Sequence, residues 1–228
     1  MSTLATFNAL VLSRVPDVDS IMDSDERDAA VLAGLETYNQ HRKRTVVVDA
    51  AGENDAELAL PAAWVADYSE LKAVEYPVDN VPPTMLDHDT YEVYQKPAST
   101  VIMLHQHTPA DTETVRLTIT VPYEIDADSS TLPAAHEKAL ADLSAGHLCE
   151  WVSAHYSSAH DSTLAVDSAD HQSQGREFAA RAKRFRTLGL AALGISTNSR
   201  GQEDVVKPAS ATRSHQPGTL HGLWRLTH

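Results

Sequence analysis

Cysteine is almost missing from this sequence. Cys149 is the only one in 228 residues, so no internal disulfide can form and a reducing compartment suits the chain. It sits in HLCEW within a strongly helical stretch, where a buried structural thiol is expected rather than a nucleophile, although His147 and His155 are close in sequence. Long apolar runs are missing too. None approaches the roughly 18 residues of a membrane span, and no membrane partner is expected. The opening MSTLATFNALVLSRVPDVDS has no basic residue ahead of its apolar part and no small-residue cleavage site, so a secretory signal is not expected there.

Glycines number 9 and are scattered, and no GxGxxG, Walker loop or GxSxG elbow occurs. Dinucleotide binding, P-loop phosphate chemistry and α/β-hydrolase catalysis are thereby excluded as readings of local motifs. Basic residues are scarce, with 18 Lys and Arg against 32 Asp and Glu, a formal charge of −14. Such a body repels a nucleic-acid backbone, and no helix-turn-helix pattern stands out. Paired carboxylates are so abundant that no one pair marks a catalytic site.

Histidines are plentiful instead, at 12. His105 and His107 are two apart on an expected strand and would face the same side, giving half of a metal site. His155, His160, Asp161, Asp167, Asp170 and His171 gather around an expected interhelical linker. No HExxH, EF-hand loop or paired CxxC is present, so surface histidines are the expectation, with no metal and no cofactor. A metal-dependent hydrolase built on residues 155–171 is the alternative from the enzyme class.

The periodicity that is present predicts an α+β fold. Leu4, Phe7, Leu10 and Val11 share one face of a short helix that ends at Pro16. Asp23 or Ser24 caps a second helix with an acidic first turn and apolar Ala30, Val31, Leu35 and Tyr38 on one side. From residue 44 the pattern shortens. RTVVVDA, ELALP, KAVEYP, TYEVYQ, STVIMLHQH and ETVRLTITVPYEI read as strands separated by turn residues. In TVRLTITV, the alternation of Val115, Leu117, Ile119 and Val121 predicts a half-buried antiparallel strand. Thr131 is then expected to cap a long helix with Leu140, Leu143, His147, Leu148, Trp151, Val152 and His155 at helical spacing. A polar linker, AHDSTLAVDSADHQ, leads to a last helix that buries Phe178, Ala182, Phe185 and Leu188 and ends near Gly194. The two long helices should pack as an antiparallel hairpin. The expected organisation is N-terminal helices of a helical core over 1–43, an inserted small antiparallel β module over 44–126, the long hairpin completing the core over 127–196, and an extended C-terminal arm over 197–228.

Charge is divided along the chain. Residues 1–174 hold 29 acidic and 9 basic side chains, a balance of −20, while residues 175–228 hold 3 and 9, a balance of +6. Within SQGREFAARAKRFR, Arg176, Lys183, Arg184 and Arg186 spread over the side opposite the apolar stripe, with Arg181 at its edge. The face is either an ordinary solvated helix surface or a contact for an acidic neighbour or for phosphates; duplex binding through it would be salt-dependent. The arm carries no helical or strand period, yet ends on Leu220, Leu223, Trp224 and Leu226. Those side chains gain nothing by exposure, so the end either folds back or anchors on a partner, and the long polar lead favours the anchor.

Several stretches together resemble the head–tail connector (adaptor) proteins of tailed bacteriophages: DYSELKAVEYPVDNVPPTMLDHDTYEVYQ, VRLTITVPYEI, LPAAHEKALADLSAGHLCEWVSAHYSS and SQGREFAARAKRFRTLGLAALGI. The similarity is one of pattern and order over residues 1–196, strongest over 130–196. It implies a structural virion protein with no enzymatic activity, made in the host cytoplasm and built into the capsid vertex at the head–tail junction. It further implies self-assembly, commonly as a dodecameric ring, beneath the portal protein, with a tail-side completion protein as the next partner. Double-stranded DNA would pass through transiently and without specificity, which an acidic tube favours because a dense basic wall would hold it. Subunit contact would run through Arg176, Arg181, Lys183, Arg184 and Arg186, and portal binding through Leu220, Leu223, Trp224 and Leu226. Another tail-completion or capsid-associated virion protein would share most of these traits.

Overall fold

A computed structural model describes residues 2–18, 20–158, 165–197 and 203–205. The first helix, α1 (Leu4–Arg14), is capped by Thr3, whose hydroxyl accepts from the Thr6 amide, and it buries Phe7 and Val11. It stops where Val15 precedes Pro16, because the proline ring disfavours helical backbone in the residue before it. The second, α2 (Ser24–His41), begins with a capping box: Asp23 accepts from the Glu26 amide at 2.8 Å, and Glu26 accepts from the Asp23 amide at 2.9 Å. Ala30, Val31, Leu35 and Tyr38 are buried on its inner face, as their spacing predicts.

Six strands follow: β1 (Arg44–Ala51), β2 (Glu57–Ala59), β3 (Leu71–Glu75), β4 (Tyr91–Gln95), β5 (Thr100–Leu104) and β6 (Thr114–Val121). They form two antiparallel three-stranded sheets, ordered β1-β6-β3 and β2-β5-β4. In the first, Arg44 lies opposite Val121 and Ala51 opposite Thr114, so β6 runs the full length of β1. Val115, Leu117, Ile119 and Val121 point into a core shared with Leu58, Val74, Tyr91, Ile102 and Leu104 of both sheets. Thr120 is also buried, and its hydroxyl is satisfied by the Glu70 amide at 2.8 Å.

The long helices are α3 (Glu137–Ser158) and α4 (Ala165–Ala192). Their direction follows from what faces what. Gly146 lies against Ala182 and Arg186, Gly175 against Ser153 and Ser157, and Gly189 against Ala139 and Leu143. Numbers fall on one helix as they rise on the other, so the pair is an antiparallel hairpin. At Gly189 a Cβ would come within 2.7 Å of the Leu143 side chain, so glycine there sets how closely the helices approach. Gly34 does the same between α2 and α3, where a Cβ would lie 2.8 Å from the Ser144 backbone nitrogen. With α1 and α2 against it as well, α3 is covered on most sides, and Ala139 through Ala145 are all buried. The helical core joins Phe7, Val11, Val31, Tyr38, Leu140, Leu143, Leu148, Phe178 and Leu190, among others. The chain is therefore α+β, with one apolar cluster among the helices and another between the sheets.

The two clusters meet at the end of α2. Asn39 exchanges two hydrogen bonds with the Tyr123 backbone, at 3.0 and 2.9 Å, and the Tyr68 hydroxyl donates to the Asn39 carbonyl at 2.9 Å. Tyr38 packs edge-on against Tyr123 with ring centres 5.3 Å apart, and burial pushes its hydroxyl well above the usual phenol range.

Four sequence expectations are corrected here. Thr131 does not cap α3. Its hydroxyl bonds to the Glu124 backbone and closes the preceding loop, while a 3₁₀ turn (Ala134–His136) after Pro133 leads into the helix. The expected linker is shorter, because α4 already begins at Ala165; a polar composition does not prevent helix when charges alternate with alanine and glutamine. Leu188 is 46% exposed, and the buried stripe runs instead through Phe178, Ala182 and Phe185 to Gly189, the next position on that face. Finally, the start of the expected arm carries structure: β7 (Ile195–Thr197) pairs antiparallel with β8 (Glu203–Val205), strands of three residues that are too short to show a period. Before them Gly194 takes φ 77° and ends α4, its amide donating to the Ala191 carbonyl at 2.9 Å.

Candidate functional site

Among the described residues the charged side chains gather on two faces, and some apolar groups are left on the surface. The first face is on α4. Arg176, Lys183, Arg184 and Arg186 are exposed, and among the described residues Arg176, Lys183 and Arg184 form no ion pair. Lys183 and Arg186 border a shallow groove with Glu150, Ser153, Ala179 and Ala182, where α4 crosses α3. Arg181 differs from these four. Its guanidinium reaches Asp17 at 3.0 Å and Glu177 at 2.5 Å and lies over the Phe178 ring at 5.2 Å. It ties α4 to the turn after α1, and its charge is answered within its own chain.

Beside this groove His147 is half-buried between α2 and α3, with Nε2 3.0 Å from the Thr37 hydroxyl. Burial is the main cause that lowers its pKa below the ordinary imidazole value. Cys149, two residues on, is buried completely, and burial pushes its thiol up to about 11. At neutral pH it is a protonated core group without nucleophilic character. Nearby, Arg14 pairs with buried Asp142 and also donates to the Leu10 carbonyl at 2.9 Å.

The second face is the far end of the β1-β6-β3 sheet. Arg116 on β6 is clasped by Asp49 at 2.8 Å, Asp79 at 3.4 Å and Glu75 at 3.5 Å. The hydrogen bond from Arg116 leads the causes that hold the Asp49 carboxyl below its usual range. Tyr76 donates to Glu113 at 2.6 Å, which depresses that carboxyl likewise. Asp49, Tyr76, Asp79, Glu113 and Arg116 line a cleft of about 300 Å³ with Pro77 and Val78. Exposed Glu53, Asp55 and Asp111 extend the negative field around it. At the opposite end of the sheet lie Arg42, Lys43, Arg44 and Lys72, with Glu70 held between Lys43 and Lys72, both at 2.5 Å. Those two cations bring the Glu70 carboxyl down to about 2.

The histidines expected to share a strand face do not. β5 ends at Leu104; His105 sits 3.7 Å from Glu92, while His107 stacks edge-on against Tyr76. His155 is exposed and lies against the Tyr156 ring. His160 and Asp161 lie outside the described residues, and so do the side chains of Asp167, Asp170 and His171. Among the described residues no three metal-binding side chains come together, and no helix is long and apolar enough to cross a membrane. Leu220, Leu223, Trp224 and Leu226 also lie outside the described residues.

Sequence reasoning missed two apolar surfaces. The loop between β3 and β4 exposes Val81 at 98% and Met85 at 53%, with Pro82 and Pro83 beside them. Between α2 and the loop ahead of β3 is a mostly apolar cleft of about 410 Å³, lined by Leu32, Leu35, Val65, Tyr68 and Pro122 beside Glu36. The run VDNVPPTM held the signal for the first: apolar residues in a turn-forming segment have no strand face on which to be buried.

No family model matches the chain, and no curated protein matches it. A chain in the neck of an empty GTA particle, computed with C6 symmetry, superposes with a TM-score of 0.27 at 15% identity, over 72% of this chain and 79% of that one. A superposition at that score is slight and decides nothing about this chain.

Proposed function

We propose that this protein is a structural, non-enzymatic component of a tailed-phage-type virion: a head–tail connector that forms a ring beneath the portal, extends the DNA channel and links capsid to tail. The observation that carries the reading is the separation of charge on one subunit. Arg176, Lys183, Arg184 and Arg186 present a positive surface on α4, and the carboxylates around Arg116 present a negative one at the far end of the β sheets. A ring is closed by heterologous contacts, in which two different surfaces of identical copies meet, so opposite signs on separate faces are what such a contact requires. Arg181 contributes by positioning α4 rather than by reaching a neighbour. Weak contacts repeated around a ring hold it firmly through effective concentration.

In this reading the portal is held by the C-terminal arm through Leu220, Leu223, Trp224 and Leu226, and the support for that is the sequence alone. The tail-side face receives a completion protein, and DNA passes an acidic wall without being gripped. The particle's head–tail junction is the working location, after synthesis in the host cytoplasm.

Co-sedimentation with assembled portal tests the arm. The full chain should sediment with portal, and a chain lacking residues 206–228, which keeps β8, should keep its circular dichroism spectrum while losing at least tenfold in binding. Equal binding by the truncated chain would remove the arm from the account, and unfolding of the truncated chain would assign the arm to the core.

A further inference from the structure

In the order β1-β6-β3 the strand β1 lies outermost, and its pairing with β6 runs unbroken from Arg44 to Ala51. The Gly52 amide donates to the Glu113 carbonyl, just ahead of β6, at 2.9 Å. The Thr120 amide of β6 turns the other way, to the Glu70 carbonyl beside β3. Both bonds fix the same alternation: Arg44, Val46, Val48 and Ala50 spend their backbone groups on β6, while Thr45, Val47, Asp49 and Ala51 aim theirs outward. Among the described residues no hydrogen bond reaches the backbone of those four on the outer side. The outer side of β3, by contrast, is answered, since Tyr76 donates to the Thr84 carbonyl at 3.0 Å and Leu86 to the Val74 carbonyl at 2.8 Å. β1 has three valines in a row and none of the lysines, prolines or bulges that blunt an exposed edge. Val47 is 59% exposed, and the inward-facing Val46 and Val48 are only half-buried.

The chain delivers its own end to this edge. Arg42, two residues before β1, donates to the Leu193 carbonyl at 2.6 Å, and Val205 of β8 lies opposite Ile195. Residue 206 therefore departs beside the head of β1. We infer that, in the unassembled subunit, the terminal segment TLHGLWRLT, residues 219–227, pairs as a strand with the free edge of β1. The lead over 206–218 spans at most about 43 Å and β1 is about 27 Å long, so the lead reaches the Ala51 end. Pro217 and Gly218 are the pair that a type II turn takes at its centre, and a turn there sends 219–227 back antiparallel to β1. On such a strand Leu220, Trp224 and Leu226 share one side, where they cover Val46 and Val48. Leu223 and Arg225 fall on the other, with Val47 and Asp49. Charge agrees with this placement. Residues 206–228 hold Lys207, Arg213 and Arg225 and no Asp or Glu, while the Ala51 end of β1 carries exposed Glu53, Asp55, Asp111 and Glu113. One contact thus removes an unpaired edge and a set of exposed apolar side chains, each of which invites aggregation.

The contact needs no portal and does not rest on the ring-forming reading; a portal that takes the arm draws it off this edge. Amide hydrogen exchange, read by NMR on dilute full-length protein, tests it against two comparisons. One is a chain ending at Val205, and the other is the full-length double variant W224S/L226S, which keeps the whole backbone. The amides of Val47 and Asp49 should exchange at least tenfold more slowly in the full chain than in either comparison. Those of Val46 and Val48, already bonded to β6, should change far less. Equal exchange at Val47 and Asp49 in all three proteins would overturn the contact. So would protection that grows with protein concentration, because a second copy would then be covering the edge. Protection that persists on bound portal upholds the contact and removes the arm from portal binding, so the two readings fail separately.

Discussion

Arg181 of α4 and Asp17 of the turn after α1 are joined at 3.0 Å, so one cation of the basic stretch is committed within its own subunit. Its neighbour Arg184 is exposed and has no such partner among the described residues. Two arginines three positions apart thus do different work. Arg181→Met should lower stability by no more than about 1 kcal/mol, since its ion pairs are largely solvated, and should leave self-assembly intact. Arg184→Glu should leave the melting temperature within a degree or two and reduce assembly severalfold. Thermal denaturation and light scattering on both variants separate the roles; unchanged assembly by Arg184→Glu would remove α4 from the contact.

Gly34 is where the backbones of α2 and α3 approach closely. A methyl group there would lie 2.8 Å from the Ser144 nitrogen, and backbone cannot swing aside as a flexible side chain does. Gly34→Ala should cost about 1–3 kcal/mol despite the higher helix propensity of alanine. Urea denaturation reads this directly, and a stabilised variant would contradict the close approach.

Arg14 and Asp142 form a pair in which the Asp142 side chain is 7% exposed. Arg14→Met should cost about 3–5 kcal/mol, because a buried charge is left without its partner. The double variant R14M/D142L should recover much of that loss, which denaturation midpoints will show.

His147 gives the molecule an acid sensitivity. Its folded pKa is depressed by burial, so the unfolded chain binds the proton more readily. Stability from this group is complete above about pH 6.5, the unfolded imidazole value, and is lost as pH falls through the lower folded value. His147→Gln should flatten that part of the stability–pH curve. An equally steep curve in the variant would point to another group.

Cys149 sets the opposite limit. Its folded pKa is raised to about 11 by burial, so the stability it lends is intact below the unfolded thiol value near 9 and declines as pH rises toward 11. Reaction with a thiol reagent at pH 8 should be slow in the folded protein and immediate in urea.

Much of this architecture was legible in the residues. The capping box at Asp23 and Glu26, the alternation in TVRLTITV and the helical spacing of Leu140, Leu143, Leu148 and Val152 each encode a local rule, and each is obeyed. What could not be read was set by partners distant in sequence. Leu188 has the right chemistry for a buried stripe, but Gly189 occupies the contact because close helix approach needs no side chain there. The helical spacing sets Arg181 at the edge of the apolar stripe, but its partner Asp17 is 164 positions away and no window of sequence shows the pair. The cleft beside α2 is assembled from Leu32, Val65 and Pro122, three segments that no window of sequence displays together.

The account depends on identical copies closing into a collar, and electron microscopy of the full-length protein mixed with its portal tests that most directly. Rings of this chain seated on the portal's tail-side face, severalfold fewer with Arg184→Glu, are the predicted result. Portals decorated by isolated single copies, or left bare, would contradict it.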